Sequence, residues 1–490
     1  MIFEAFRKMR NERPLAAAFL VSTGDRAVPI SWRQFTDDID AVVHLIRQHV
    51  PGATIGVIGE NSYEWMVIHA AIVFSGATVT PVDANLTAVE IAERMRFVKA
   101  QALVYSSLYG EKAHAAAKLC PGLATGGFGT RKTDRYIESA RKALAEGAPS
   151  IWDQPSIDVE RVSMLVFTSG TTSEPRGAEL TIAGLETFCQ WALEVLPMNV
   201  GDHSLMLLPL HHIFGVCTTY LMLMRGVALG VCPDFRRIYD AVERFRANYI
   251  FLVPALAEIL AQKIQQRGCS AEDALGQPID WILIGGAALP RRIYEHLTAL
   301  GVKMITGYGL TETTAAYSIT PFAGDPHVGA QGKASMAPGV ETKVSAEGEL
   351  MIKGPCVMKG YYKMPEKTAR VLEPDGWYHT GDLGRIDADG FVWITGRASR
   401  TIILSSGKKI APEELEEKLL ALPGIREAVV SGEGESREIK AEVFASIPEA
   451  SVLKAIGELN LSMPVYKRIK TIVVRKDPFP RTSSGKIRVG

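Results

Sequence analysis

The sequence predicts an α/β protein: a large N-terminal domain of layered α/β sheets carrying a small β-rich subdomain, followed by a small α+β C-terminal domain. Three observations predict it. Up to about residue 400, short apolar runs alternate with helical patterns, the signature of α/β layers with largely parallel sheets. GELMIKGPCVMKGYYKM breaks that alternation and reads as short strands between glycine turns. Near residue 396 the character changes again, and the remaining chain is short and mixed. A length of 490 residues fits about three domain-sized units.

Taken in order, TIGVIGE reads as a strand, SYEWMVIHAAIVFSG as a helix from its apolar spacing, and ATVTPVD as a second strand. ALVYSS, SMLVFTSG, SLMLLPL, YIFLVP, WILIGG and KMITGYG are further buried-strand candidates, most leading into helices. The most apolar stretch, Ser204 to Cys232, is broken by Pro209, His211, His212 and Arg225. A membrane span needs about 20 unbroken apolar residues, so this stretch reads as a buried strand followed by a buried helix. WITGRASRTIILSSGKKIAPEELEEKLLALPG runs strand, glycine turn, strand, then a helix opened by Pro412 with acidic residues in its first turn.

Composition narrows the function classes. Hydrophobic residues make up 47% and charged residues 22%, ordinary for a globular chain, which sets disorder and coiled coil aside. The 54 basic residues balance 54 acidic ones, so no overall field draws nucleic acid or anionic membrane, and phosphate recognition has to be local. After Ser399 the balance tips to 16 basic against 12 acidic residues, and between Lys467 and Arg488 eight basic residues face only Asp477. That run reads either as a solvated face or as an end built to meet a polyphosphate. The six cysteines are scattered without a CxxC pair, which offers no zinc ribbon and fits a reducing compartment. The opening MIFEAFRKMRNERPLAAAFL has no signal-peptide pattern, and a cytoplasmic location is expected.

MLVFTSGTTSEPRGAEL is the most informative segment. An apolar strand runs into Thr168, Ser169, Gly170, Thr171, Thr172 and Ser173, followed by Pro175, Arg176 and Gly177. Hydroxyls and exposed backbone N–H groups on a glycine-permitted turn suit a phosphate chain, and Arg176 adds a fixed charge. It is not a Walker A loop: the late Gly485-Lys486 pair is followed by Ile487 and has Pro480 where the first glycine belongs. No GxGxxG follows a strand either. Alone, such a loop is more often a plain surface turn.

It does not stand alone. LPLHHIFG, GGAALP, GYGLTETT, GELMIKG, GYYKMPEKT, GWYHTGDLG, the TGR…SSGKKIAPEELE block and RTSSGKIR follow it. In this order the motifs resemble those of the acyl-adenylate-forming superfamily of acyl-CoA synthetases, peptide-synthetase adenylation domains and firefly-type luciferases, over nearly the whole chain. The resemblance implies that ATP activates a carboxylic acid as acyl-AMP, with release of pyrophosphate, and that a thiol then displaces AMP. Charge builds on phosphate oxygens in the first step, so metal and cationic stabilisation matter more than a general base.

The resemblance also assigns roles. It makes Glu312 the Mg²⁺-binding and catalytic carboxylate, with Thr168 as a second metal contact and Thr311 on phosphate; the plainer alternative has Glu312 capping a following helix. It places Gly286, Ala287, Gly307, Tyr308 and Gly309 with Ser169–Thr172 and Arg176 around ATP or AMP, Tyr308 stacking on adenine. Asp382 can accept both ribose hydroxyls, although aspartates in turns commonly bond their own backbone, and Arg397 offers a donor fork to the same sugar. Lys486, otherwise a solvent-exposed tail residue, resembles the family's catalytic lysine. The implied domains are 1–397, a hinge at 398–400 with Ser399 at its centre, and a mobile 401–490, which presents Ser406 and Gly407 to coenzyme A.

Three positions depart from the family pattern: Ser173 for glycine, Arg176 for lysine, and Ser399 for the common Asp or Lys. They keep a non-catalytic adenylate-binding relative open as an alternative. His212, at the place where acyl-CoA synthetases often have histidine, is expected with Lys486 and Glu312 among the catalytic residues, at the acyl-pocket edge, where the residue-level alternative is a satisfied core histidine. No Asp or Glu lies between Ser204 and Met224 to meet a substrate ammonium, which speaks against amino acids. Cys217, Tyr220, Leu221 and Met224 suit an aliphatic or aryl acid and equally suit core packing. The expected activity is an acid–CoA ligase of fatty-acid or aryl-acid type using ATP, Mg²⁺ and coenzyme A. No carrier domain follows Arg488, which favours free coenzyme A; loading of a separate acyl carrier protein is the alternative acceptor.

Overall fold

The computed structural model describes the 490 residues apart from 25, 130, 169–174, 269, 277–278, 288, 320–326, 328, 335–336, 435–437, 482–486 and 488–490, with backbone only at 131–136 and 316–317. Two large sheets build the N-terminal domain. The six-stranded sheet has the spatial order Ala124–Phe128, Ala102–Ser106, Thr54–Ile58, Thr78–Val82, Val162–Thr168, Arg176–Thr181. Its pairings are parallel except the last, where Arg176–Thr181 returns antiparallel as a hairpin.

The eight-stranded sheet runs Ala315–Ile319, Met304–Leu310, Trp281–Ile284, Tyr249–Leu252, His203–Met206, Ala228–Val231, Ala17–Thr23, Arg26–Ser31. It is parallel through its middle and closed by an antiparallel hairpin at each edge. The expected α/β layering therefore holds, and the strand candidates named for the two sheets are strands; of GELMIKGPCVMKGYYKM only Glu349–Lys353 is one, the rest contributing a single bridge at Tyr361.

Helix Tyr63–Ser75 is buried at eleven positions from Tyr63 to Phe74, and helix Ile213–Arg225 at ten. A helix apolar on every face belongs inside a core. Both contribute to the one apolar cluster that also takes Val57 and Val79 from the first sheet and Phe19, Leu229 and Tyr249 from the second. Ser62 caps the first helix through a bond from Trp65 N. Among the described residues, no helix is long and apolar enough to cross a membrane.

The β-rich subdomain is a four-stranded antiparallel sheet of Glu341–Val344, Glu349–Lys353, Tyr378–Ile386 and Val392–Arg397. Beyond it, Ile402–Ile403 pairs with Lys409–Ile410, helix Pro412–Leu420 follows, and Ile425–Glu433, Glu438–Ala445 and Thr471–Arg475 form a three-stranded sheet. Leu415, Leu419, Val430, Ile439, Val443, Val452 and Ile456 fill a core of their own. A separate core is what a separately moving unit requires.

Candidate active site

The parallel strands of both sheets end on loops that carry the quoted motifs, the usual place for a ligand in open α/β sheets. After His203–Met206 the chain enters LPLHHIFG. Asn61 holds this loop from the neighbouring sheet: its Nδ2 donates to the Leu208 carbonyl at 2.8 Å, and its Oδ1 accepts from Leu210 N at 3.1 Å. Gly215 permits the tight entry into the helix, since a Cβ there would sit 2.4 Å from the Pro209 carbonyl oxygen. His212 is the N-cap residue of helix Ile213–Arg225, and its ring lies 4.2 Å from that of His211. Burial lowers the His211 pKa, partly opposed by Asp83, whose carboxylate is 3.7 Å away.

Gly286 follows strand Trp281–Ile284 with φ +81, and the Phe214 ring packs against Gly285 and Gly286. Ala287 continues the same loop. The LPLHHIFG and GGAALP motifs thus face each other. Cys217, Tyr220 and Leu221 instead belong to the core: the Cys217 thiol lies 3.8 Å from the Thr314 carbonyl, and the Tyr220 hydroxyl lies 3.1 Å from His69 Nδ1. For these three residues the packing alternative holds.

Strand Met304–Leu310 carries Gly307, Tyr308 and Gly309, and Thr311 and Glu312 sit in the single turn Thr311–Thr313. The chain then reverses into the antiparallel strand Ala315–Ile319, so no helix follows for Glu312 to cap. Glu312 Oε1 accepts from the Tyr361 hydroxyl at 2.8 Å, and its carbonyl accepts from Met358 N at 2.8 Å. Its carboxylate is an oxygen donor of the kind a hard cation takes, one or two at a time beside phosphate oxygens, so the residue fits Mg²⁺.

Asp382 lies within strand Tyr378–Ile386, not in a turn, and faces Arg397 across the ladder. Only 4% of it is exposed. Arg397 Nε meets Oδ1 at 2.7 Å, and the Tyr308 hydroxyl donates to Oδ2. Three motifs far apart in sequence therefore close on one carboxylate. The expectation that Tyr308, Asp382 and Arg397 lie together is met, with Arg397 holding the carboxylate.

Thr168 ends its strand directly opposite Arg176 in an antiparallel pairing. Ser169, Gly170, Thr171, Thr172 and Ser173 lie outside the described residues, as does Lys486. Arg481 and Ile487, on either side of that lysine, pair as an antiparallel bridge, and Arg481 bonds Glu427. Gly407 has φ +77 in the exposed turn between Ile403 and Lys409, with Ser406 before it and nothing within 4 Å of a Cβ position. Ser399 is exposed between two anchored arginines. Arg397 holds Asp382 on one side, while Arg400 meets Glu413 at 2.9 Å and Glu416 at 2.6 Å on the other.

Sequence motifs named GYYKMPEKT without singling out Tyr361, and they missed Asn61 and Arg400 as anchors. The signal for Tyr361 was only its place in a motif, because its contacts come from distant segments.

Comparison with known proteins now decides the family. Residues 6–362 match the model for the AMP-binding enzyme, and residues 399–489 match that for the AMP-binding enzyme C-terminal domain. The chain belongs to the AMP-binding enzyme family. The resemblance to acyl-adenylate-forming enzymes of acyl-CoA synthetase type is borne out. Among relatives, indoleacetate–CoA ligase of Aromatoleum aromaticum is 31% identical over 364 residues, 70% of this chain and 69% of that protein. The 4-coumarate–CoA ligase 2 of Oryza sativa is 28% identical over 481 residues, 89% of this chain and 82% of its own length. The structure of ATP-bound MatB from Rhodopseudomonas palustris superimposes with a TM-score of 0.82 at 25% identity, covering 99% of this chain and 97% of that one.

Proposed function

We propose that this AMP-binding enzyme is an ATP-dependent carboxylic acid–CoA ligase acting on a fatty or aryl acid. The observation that carries the reading is the convergence of Tyr308, Asp382 and Arg397, with Glu312 on the turn that leaves the Tyr308 strand. Ligase relatives acting on indoleacetate and 4-coumarate support it.

In the first step a carboxylate oxygen of the acid attacks the α-phosphorus of ATP. The bond to the bridging oxygen breaks, and pyrophosphate leaves with that electron pair. In the second, a thiolate attacks the acyl carbon and AMP departs with the oxygen. Asp382 is an acceptor for the ribose hydroxyls, held in place by Arg397. Tyr308 gives its hydroxyl to Asp382 and its ring to adenine. Arg176 faces the phosphates from the hairpin base with the loop Ser169–Thr172. Mg²⁺, held by Glu312 with Thr168 beside it, would neutralise phosphate charge. Lys486 would place an ammonium between substrate carboxylate and α-phosphate. His212 and Phe214, beside Gly286, would border the acid, and Ser406–Gly407 the pantetheine arm, after rotation about Ser399. The free, buried thiols Cys120, Cys189, Cys217, Cys232 and Cys356 suit a reducing, cytoplasmic setting.

The test is pyrophosphate release with a panel of fatty and aryl acids, followed by thioester formation with coenzyme A or with carrier protein. Acid-dependent release and an acyl-CoA product are expected. Release with carrier protein as the sole acceptor moves the reading to a carrier-protein ligase. ATP binding without release for any acid leaves an adenylate-binding relative.

A further inference from the structure

The Glu312 carboxylate is held by a side chain with no role assigned so far. Residues 359–362 lie against strand Arg176–Thr181 as an extra antiparallel segment. Ala178 bridges Tyr361, Tyr362 N donates to the Gly177 carbonyl at 2.8 Å, and Glu179 N donates to the Gly360 carbonyl at 2.9 Å. Just before it, Met358 N donates to the Glu312 carbonyl at 2.8 Å. Main-chain bonds on both sides thus fix Tyr361 between the hairpin bearing Arg176 and the turn bearing Glu312.

The side chain completes that link. Tyr361 is 5% exposed and donates its hydroxyl hydrogen to Glu312 Oε1 at 2.8 Å. Tyr378 and Arg176 lie beside the same phenol, the Arg176 guanidinium carbon 5.8 Å from the ring centroid. Tyr378 begins the strand that carries Asp382. One phenol is therefore bonded to the Glu312 carboxylate and lies beside Arg176 and the first residue of the Asp382 strand.

We propose that Tyr361 is the positioning residue for the ATP-bound cation: by occupying Glu312 Oε1 it leaves Oε2 as the single oxygen for the metal. The inference rests on the adenylate reading above. A carboxylate restricted to one oxygen suits Mg²⁺, which demands near-ideal octahedral geometry, whereas Ca²⁺ readily takes both oxygens of one carboxylate. Arg176 lies beside the same ring, and its planar fork carries several donors for phosphate.

Tyr361→Phe keeps the ring and removes the bond. Mn²⁺ binding in the presence of ATP, followed by electron paramagnetic resonance of free Mn²⁺, needs no turnover. The variant is expected to bind Mn²⁺·ATP about tenfold more weakly, as loss of an outer-shell partner does. Its preference for Mg²⁺ over Ca²⁺ in competition should narrow. With kcat preserved at saturating Mg²⁺, the change is in metal affinity and not in the active fraction. Should Tyr361→Phe fail to fold, Tyr378→Phe removes the hydroxyl that neighbours the same phenol and should shift affinity in the same direction by less. Wild-type protein that binds no Mn²⁺·ATP overturns the adenylate reading and this inference together. Normal wild-type binding with unchanged affinity and unchanged Mg²⁺/Ca²⁺ preference in the variant overturns the role of Tyr361 alone.

Discussion

The ribose end of the site and the C-terminal lobe are built in opposite ways. Asp382 is nearly buried, sits in a regular ladder opposite Arg397, and has partners on both oxygens before any ligand arrives. The Ser406–Gly407 turn is exposed, with open space around the glycine. A preformed carboxylate loses little entropy on binding, so in the proposed function it would serve affinity. In the proposed function, groups on an exposed turn of a separately cored lobe would serve timing instead, since such groups can approach and withdraw. Ser399 lies between the two regimes, with Arg397 fastened on one side and Arg400 on the other.

This contrast is broken most forcefully at Lys486. Lys486→Ala should slow acid-dependent pyrophosphate release about 10²–10³-fold, as loss of a transition-state charge contact does. Thioester formation from supplied acyl-AMP should change little. Equal losses in both assays would mean that the C-terminal lobe does not divide its labour between the steps.

At the other end, Asp382→Asn leaves the shape and removes the charge that holds Arg397. A hydrogen bond to a charged group is worth about 1.5–3 kcal/mol, so the KM for ATP should rise by about one to two orders of magnitude. The acid's KM should stay close to wild type. A matching rise in both would show that the ladder supports the whole cleft and not the nucleotide end alone.

Much of the fold and the positions of the candidate site residues were legible in the sequence, and the reason is physical. An apolar strand that stops at a glycine turn announces both an element and its functional end, as in MITGYG and WILIGG. The strand Ala124–Phe128 was not legible: ATGGF has little strand propensity, and its conformation is imposed by pairing with Ala102–Ser106. The hairpin Ala17–Ser31 escaped notice because Pro29 and the exposed alternation of RAVPIS mark an edge strand, the weakest pattern to read. In the site, Asp382 and Glu312 stood out as carboxylates in motifs. Tyr361 did not, since its role comes from a segment docking on a strand some 180 residues earlier. Nor could the sequence choose for Cys217, Tyr220 and Leu221 between pocket and core, because both ask for the same residue types.

The smallest expected effect concerns what keeps the ribose strand finished. His379 lies three residues before Asp382, with Nδ1 3.0 Å from Glu349 and Nε2 2.9 Å from Glu373. Glu349 also accepts from Gly381 N at 2.7 Å, the residue just before Asp382. Carboxylates only accept, so both ring nitrogens must donate, and the imidazolium is the form that fits. Burial lowers the pKa of His379, but the bonds to the two glutamates more than offset it, and the net shift is upward. A histidine raised in the folded state contributes stability that is complete below its unfolded value of about 6.5 and is lost as pH rises through the folded value. Melting temperature should therefore fall toward alkaline pH more steeply in wild type than in His379→Gln, whose amide cannot charge. Because the side chain is partly exposed, the difference should stay below about 1 kcal/mol. Identical pH slopes for the two proteins would remove His379 from the clamp and leave the Asp382–Arg397 pairing as what orders that strand.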